Sequence, residues 1–304
     1  MSCRVVFCCV LSLVTASSAA GEDANHRLII DADTGNEIDD LYAILRVLSQ
    51  DRFEVVGLTS CQWRHHLGPR DSLSVSQRDN VDLLNVCGRP DLPHPAGSED
   101  PFGKPWGGTQ PQDSPAARFI IDQARKTPAG EKLVVVCTGA ATNVASAVKL
   151  QPEIASRISV YLVGFRYDFE RAVWNKSEFN VRRDLDAADF LLDTEGLDLT
   201  IMPLEVSGQL VFDREDSFTR QQKLGDVGRH LTTKWTRKFS DHDVWTMWDV
   251  ALVEAVVRPE LATTRDVTTP PENTQRTVRV YDSIDAGAMK VDFWSTLAEA
   301  YSSP

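Results

Sequence analysis

Positive charge is in short supply in this 304-residue chain: 32 Lys and Arg stand against 44 Asp and Glu, a formal net charge of −12. That balance argues against nucleic-acid backbones and anionic membrane surfaces as partners, while leaving neutral small molecules open. Cysteine is scarce too. Of six, Cys3, Cys8 and Cys9 lie at the start, which leaves Cys61, Cys87 and Cys137, an odd number without zinc-ligand spacing. Cys61 and Cys137 fall near predicted strand ends and are expected as buried thiols, with one disulfide among the three left open. Long hydrophobic runs are missing: Val5–Val14 is too short to span a bilayer. It follows Arg4 and precedes Thr-Ala-Ser-Ser-Ala-Ala, which predicts a secretory signal peptide over residues 1–20, cut after Ala20. The mature chain, 21–304, is then expected to be periplasmic or secreted. No cysteine follows the small residues, so no lipid anchor is expected. Repeats and low-complexity segments are absent, and the length supplies ample core for one domain.

What is present is an unusual concentration of acid. His26–Leu48 reads HRLIIDADTGNEIDDLYAILRVL. Leu28, Ile29 and Ile30 form a predicted buried strand ending in Asp31-Ala32-Asp33, and Thr34-Gly35-Asn36 is turn chemistry. From Asp40 onward Leu41, Ile44, Leu45 and Leu48 fall at helical spacing, so Asp39 and Asp40 start a helix, where its dipole favours carboxylates. Strand, acidic loop and helix thus crowd carboxylates at a strand's carboxyl end, where open α/β sheets bind ligands. Such a group repels itself unless a cation holds it, and hard oxygen donors suit calcium or magnesium. Two blander readings compete. One is a capped helix behind a solvated acidic turn. The other is a phosphotransferase loop with an Asp-x-Asp nucleophile, which gives Asp39-Asp40 no task and fits Gly35 badly.

The rest of the chain alternates strands and helices. Phe53–Cys61 predicts a second strand parallel to the first, leading into Gln62-Trp63-Arg64-His65-His66. Arg78–Gly88 reads as helix, and Arg89–Pro111, with Trp106-Gly107-Gly108, as a long Pro/Gly-rich loop. Ser114-Pro115 caps a helix reaching about Lys126. Lys132–Thr138 is a buried strand, with Thr142-Asn143 expected to cap the helix after it. Ile158–Phe165 is a strand, Arg166–Ser177 an irregular loop, Asp186–Glu195 a helix and Leu197–Val206 a strand. Val211–Ser240 is expected as a helical, charged outer layer or lid. Thr277–Asp282 and Asp292–Tyr301 close the chain as strand and amphipathic helix. The pattern predicts an α/β fold: an open, mostly parallel sheet flanked by helices.

Four motifs carry a resemblance. They are Asp31 to Asp40, Thr138-Gly139-Ala140-Ala141-Thr142-Asn143-Val144-Ala145, Glu178-Phe179-Asn180, and Asp249 about ten residues before Pro259-Glu260. Together they resemble the nucleoside hydrolase family across essentially the whole mature chain. The resemblance implies a Rossmann-like sheet and a calcium ion held by Asp33, Asp40, Asp249 and the Thr138 carbonyl. It implies Asp33 as the base that takes a proton from water, and Asp39, Glu178 and Asn180 as ribose contacts. The activity implied is calcium-dependent hydrolysis of a ribonucleoside to free base and ribose, with a homo-oligomer compatible.

This sequence also departs from the family pattern. Thr34 replaces a proline in a loop two residues longer than usual. Arg64 stands where relatives carry Asn, so Gln62 or a neighbouring histidine is expected to take that role. Ala172 replaces another Asn, for which Asn175 is expected to substitute. Trp248 replaces a histidine, which leaves two readings open: stacking on Trp248, with Trp245 or Trp63, serves the base in place of protonation, or Trp248 only packs its helix. Three lost polar groups keep alternatives in view: a calcium-stabilised ribosyl-binding protein without turnover, or a hydrolase of another N-glycosylated metabolite.

Overall fold

Period-two alternation along the central strands sets the architecture. The structure, a computed structural model, describes residues 26–104 and 107–302; the expected signal peptide, Cys3, Cys8, Cys9 and Trp106 lie outside the described residues. In β1 (His26–Ala32), Leu28, Ile30 and Ala32 enter one apolar core and Ile29 the other. β2 spans Phe53–Ser60. In β3 (Leu133–Cys137), Val134 and Val136 face the first core, and Leu133, Val135 and Cys137 the second. β4 (Ile158–Val163) alternates likewise, Ile158, Val160 and Leu162 against Val163. Strands buried on both faces read as continuous apolar runs, which is why KLVVVCT is so plain in the sequence.

β5 (Arg166–Asp168) and β6 (Val173–Asn175) form an antiparallel hairpin. β7 is Asp198–Met202; β8 (Val211–Asp213) and β9 (Val244–Thr246) form a second small ribbon; β10 is Ala262–Thr268 and β11 Thr277–Ile284. The main sheet runs β10-β11-β7-β4-β3-β1-β2. All neighbours are parallel except β10 and β11. Helices Asp39–Leu48, Trp248–Val257 and Ala286–Tyr301 cover one face, and Pro115–Lys126, Thr142–Leu150 and Leu185–Asp193 the other. The expected α/β architecture is therefore present.

Several local expectations give way to long-range packing. Arg166–Ser177 is a hairpin, not an irregular loop. The strand expected over Leu197–Val206 ends at Met202 and turns into a short helix, Leu204–Ser207. Val211–Ser240 opens as β8 before helices Arg214–Gln221 and Gly225–Lys238. Helix Ser72–Val86 begins ahead of Arg78, and the last helix starts at Ala286, ahead of Asp292.

Thr142 and Asn143 do not cap their helix; Ala141 precedes it without a side-chain cap. Thr142 instead donates to Asp184, and the Asn143 amide donates to Asp31 Oδ1 at 2.8 Å and to the Ser60 carbonyl at 3.0 Å. Asp31 is wholly buried, and burial pushes its carboxyl up to about 6, against the opposing bonds from Thr59 and Asn143. Asn143→Ala strips a buried carboxylate of one donor and a carbonyl of another. It should cost roughly 2–3 kcal/mol, read as a lower urea midpoint at unchanged slope.

The three cysteines of the described residues are free. Cys61 follows β2 and Cys137 ends β3, strands on opposite sides of β1, with the Cys61 N–H on the Ala32 carbonyl and Cys137 registered against Asp31. Two inter-strand spacings separate their Cα atoms by roughly 9.5 Å, beyond disulfide reach. Both thiols are buried, as expected.

Candidate active site

Beyond Ala32 the chain leaves the sheet at its carboxyl edge. The Asn36 N–H donates to the Asp33 carbonyl at 2.8 Å, closing a turn. Gly35 has no room for a side chain: a Cβ there would sit 2.5 Å from Val75 Cγ1 and 3.0 Å from the Ser76 nitrogen. Gly139 is equally confined, its Cβ position 2.6 Å from Cys61 Sγ and 2.8 Å from Asp33 Cβ. The turn delivers Asp39 and Asp40 as the first residues of helix Asp39–Leu48. Buried Arg46 ties that helix to helix Trp248–Val257 through Glu254 at 2.6 Å, and to Asp292 at 2.5 Å. This fixes Asp249, at the start of the second helix, against Asp39, whose Oδ2 accepts the Asp249 N–H at 3.2 Å.

The outcome is an acid cluster lining a cavity of about 230 Å³. That is below the roughly 300–1,000 Å³ of ordinary ligand pockets and suits one small molecule rather than a polymer. Asp39, Asp40 and Asp249 each bring a carboxylate oxygen within 4.8 Å of the others. Asp40 Oδ1 accepts from the Thr138 hydroxyl at 2.8 Å, and the carboxyls of Asp33 and Asp249 lie beside that of Asp40. Burial raises all four acids. Asp40 rises to about 6, while Asp33, Asp39 and Asp249 go well above the usual range, pushed further by one another's charge. Glu37, on the same cavity, rises to about 7 for the same two reasons.

Lys238 is the cation whose charge these acids feel. Lys238 donates to the Gly35 carbonyl, and burial lowers its ammonium below the usual range. One lysine does not balance five acids. Asp33 Oδ2 is buried without a partner. An orphaned carboxylate oxygen, three convergent carboxylates and the nearby Thr138 carbonyl form a hard oxygen donor set that fits a divalent cation. Asp39, expected as a ribose contact, stands inside this set.

Glu178 and Asn180 line the same cavity. Glu178 Oε2 accepts the Val181 N–H at 3.1 Å, capping helix Phe179–Arg183, and burial raises its carboxyl. The Asn180 amide donates to the Thr138 carbonyl at 2.7 Å. Trp248 lines the cavity as well.

Other expected residues stay away. Asn175 is exposed on β6, with its Oδ1 accepting the Ser177 N–H at 2.8 Å, and does not line the cavity. The hairpin places Asn175 opposite Arg166, and it is Arg166 that reaches the cavity wall. Arg64 turns outward to Asp100 at 3.2 Å. Gln62 is buried on Thr142 and the Arg183 carbonyl, so it does not take the missing amide's place. His65 and His66 open onto a separate surface groove. Trp63 bonds Ser76, and Trp245 lies on Phe239 with ring centres 3.8 Å apart, so neither faces the cavity. Asn36, Glu37, Arg166 and Phe179 line it unforeseen.

The sequence profile of the inosine-uridine preferring nucleoside hydrolases matches residues 28–302. The chain belongs to that family. This nucleoside hydrolase is accordingly an N-glycosyl hydrolase. It is 29% identical to probable uridine nucleosidase 2 of Arabidopsis thaliana, over 67% of each chain. It is 25% identical to the pyrimidine-specific ribonucleoside hydrolase RihB of Escherichia coli strain SE11, again over 67% of each. Among solved structures, an inosine-guanosine nucleoside hydrolase superposes with a TM-score of 0.71 at 17% identity, covering 92% of this chain and 100% of that one. A purine-preferring ribonucleoside hydrolase from Gardnerella vaginalis gives 0.65 at 22%, covering 90% and 98%. At such identities the structural likeness speaks for the fold, and the profile match for the family.

Proposed function

We propose that this protein hydrolyses the N-glycosidic bond of a ribonucleoside at a calcium-loaded site, after secretion and loss of residues 1–20. The observation that carries the reading is the unpartnered Asp33 Oδ2 beside the Asp39, Asp40 and Asp249 carboxylates, in a family of nucleoside hydrolases. Asp33, Asp39, Asp40, Asp249 and the Thr138 carbonyl would hold the ion. When bound, calcium supplies positive charge that neutralises the cluster and acidifies water.

The chain's own groups then divide the work. Asp33 keeps an oxygen free to accept the proton of the attacking water. Glu178 and Asn180, fixed through Val181 and Thr138, orient the sugar hydroxyls. The surrounding carboxylates favour the positive charge that grows on the ribose ring as the base departs. Trp248 carries no titrating proton to give to that base; its ring offers a stacking face. Base–aromatic stacking is worth about 1–3 kcal/mol, so Trp248→Ala should raise KM by about 5- to 150-fold, and Trp248→Phe by much less. Initial-rate kinetics on the best substrate separates the two variants; equal KM for wild type and Trp248→Ala assigns the ring to packing alone.

The test of the whole reading is release of free base from a panel of purine and pyrimidine nucleosides by the purified protein, with and without a calcium chelator. Release that the chelator abolishes and calcium restores is the expected result. Silence across the panel in the presence of calcium overturns it.

A further inference from the structure

Arg166 has no part in the mechanism above, yet it is the only cation among the described residues lining a cavity that carries six carboxylates. Its position is fixed by strained backbone. Phe165, immediately before it, is fully buried and holds φ at +64°, a conformation that is costly for a bulky residue and persists only where its surroundings impose it. The Phe165 N–H points at the Glu178 carboxylate, its carbonyl accepts the Leu204 N–H at 3.1 Å, and its ring packs edge-on against Trp174 at 5.5 Å. The left-handed turn therefore serves two neighbours at once: it anchors Glu178 and swings Arg166 to the cavity wall.

The guanidinium is then held by one contact. Arg166 Nη1 donates to Glu205 Oε1 at 2.9 Å, while Glu205 Oε2 accepts the Tyr167 N–H at 3.2 Å. A guanidinium carries five N–H donors in a planar fork; this side chain is 44% exposed, so the donors not held by Glu205 face solvent at the cavity's edge, where a ligand can reach them. Arg166 is thus pre-positioned and under-used, a state that suits a planar bidentate anion.

The chemistry of a ribosyl ligand says where that anion would sit, and here the argument rests on the function proposed above. The vicinal 2′ and 3′ hydroxyls are the groups an oxygen-rich acid and cation cluster engages, and C1′ carries the departing base. The 5′ oxygen is the remaining position that can bear an anionic substituent. We propose that Arg166 is a specificity-determining residue and that the site takes ribosides carrying a 5′-phosphoryl group.

The test uses the full calcium-loaded protein, with R166Q and R166K as variants. Calorimetry compares ribose 5-phosphate, ribose and inorganic phosphate. Hydrolysis is measured in parallel on one nucleoside and its 5′-monophosphate. Wild type should bind ribose 5-phosphate about tenfold or more tightly than ribose, the scale of a charge-assisted pair, and more tightly than phosphate alone. R166Q should bring the ribose 5-phosphate to ribose ratio to near one, with R166K between. A wild-type ratio of one, a ratio unchanged in R166Q, or inorganic phosphate binding as tightly as ribose 5-phosphate overturns the proposal. Cleavage of the nucleoside with a ratio of one would refute the phosphoryl subsite and leave the hydrolase reading standing. An Arg166-dependent ratio without cleavage of either compound would do the reverse.

Discussion

Asp33→Asn should lower kcat by about 10²- to 10⁴-fold, the contribution of a positioned general base, and should weaken calcium binding in the same protein. The two losses belong together because, in the proposed mechanism, one side chain would do both jobs. Its Oδ2 is the orphaned oxygen, and its carboxyl lies beside that of Asp40. The substitution is nearly isosteric, so the close approach of Gly139 and Cys61 to the Asp33 side chain survives and a folding defect is not expected to mask the effect. Asn180→Ala sets the scale for comparison. It removes a donor to the Thr138 carbonyl and a sugar contact, worth about tenfold as a single hydrogen bond. Single-turnover rates and calcium titrations on both variants decide the matter. Equal, small losses in the two would remove Asp33 from its double role.

The second large effect concerns the metal-free protein and pH. In the absence of a cation, burial raises the folded-state values of Asp33, Glu37, Asp39, Asp40 and Asp249 above their unfolded ones, and repulsion from neighbouring acids adds to the rise in all but Asp40. Folding then favours the protonated acids. Their stabilising contribution is complete below the unfolded values, near 4, and is lost as pH climbs through the folded ones, about 6 for Asp40 and about 7 for Glu37. Metal-free protein should therefore lose stability from about pH 4 to 7. Calcium binds the deprotonated form, so its stabilisation should grow across the same interval. At a thousandfold excess over Kd it reaches about 4 kcal/mol, on the order of 10 °C in Tm. Thermal unfolding at pH 5 and pH 8, with calcium and with chelator, measures the increment. A calcium increment of the same size at both values would show that the cluster is not what the ion binds.

The acidic loop could be read from sequence because strand, turn and helix signals are local there, and five acids within ten residues leave few bland explanations. Asp249 was reachable by its spacing to Pro259-Glu260. What stayed hidden depends on contacts between distant segments. Thr142 and Asn143 look like caps because nothing local shows that Asp184 and Asp31 will claim their side chains. Asn175 looked like a substitute amide because residues 166–177 carry no turn signal that announces a hairpin; in it Asn175 turns to the Ser177 N–H, while the longer Arg166 opposite reaches the cavity wall. Asp39 was given to the ribose, since its bond to the Asp249 backbone spans 210 positions. Arg166 and Lys238 had one weak signal each: a cation just past a strand's carboxyl end, and a lysine closing a helix that might have been solvated. Neither is distinctive without the fold.

That span of 210 positions between Asp39 and Asp249 bears on biogenesis. Synthesis runs from the amino terminus, so the acidic loop emerges early and waits for most of the remaining chain before its partner carboxylate exists. A nascent or truncated product ending before residue 249 carries the repelling acids without the group that completes their ligand set. On the proposed reading, cation affinity would belong to the nearly finished polypeptide, because the carboxylate of Asp249 completes the set.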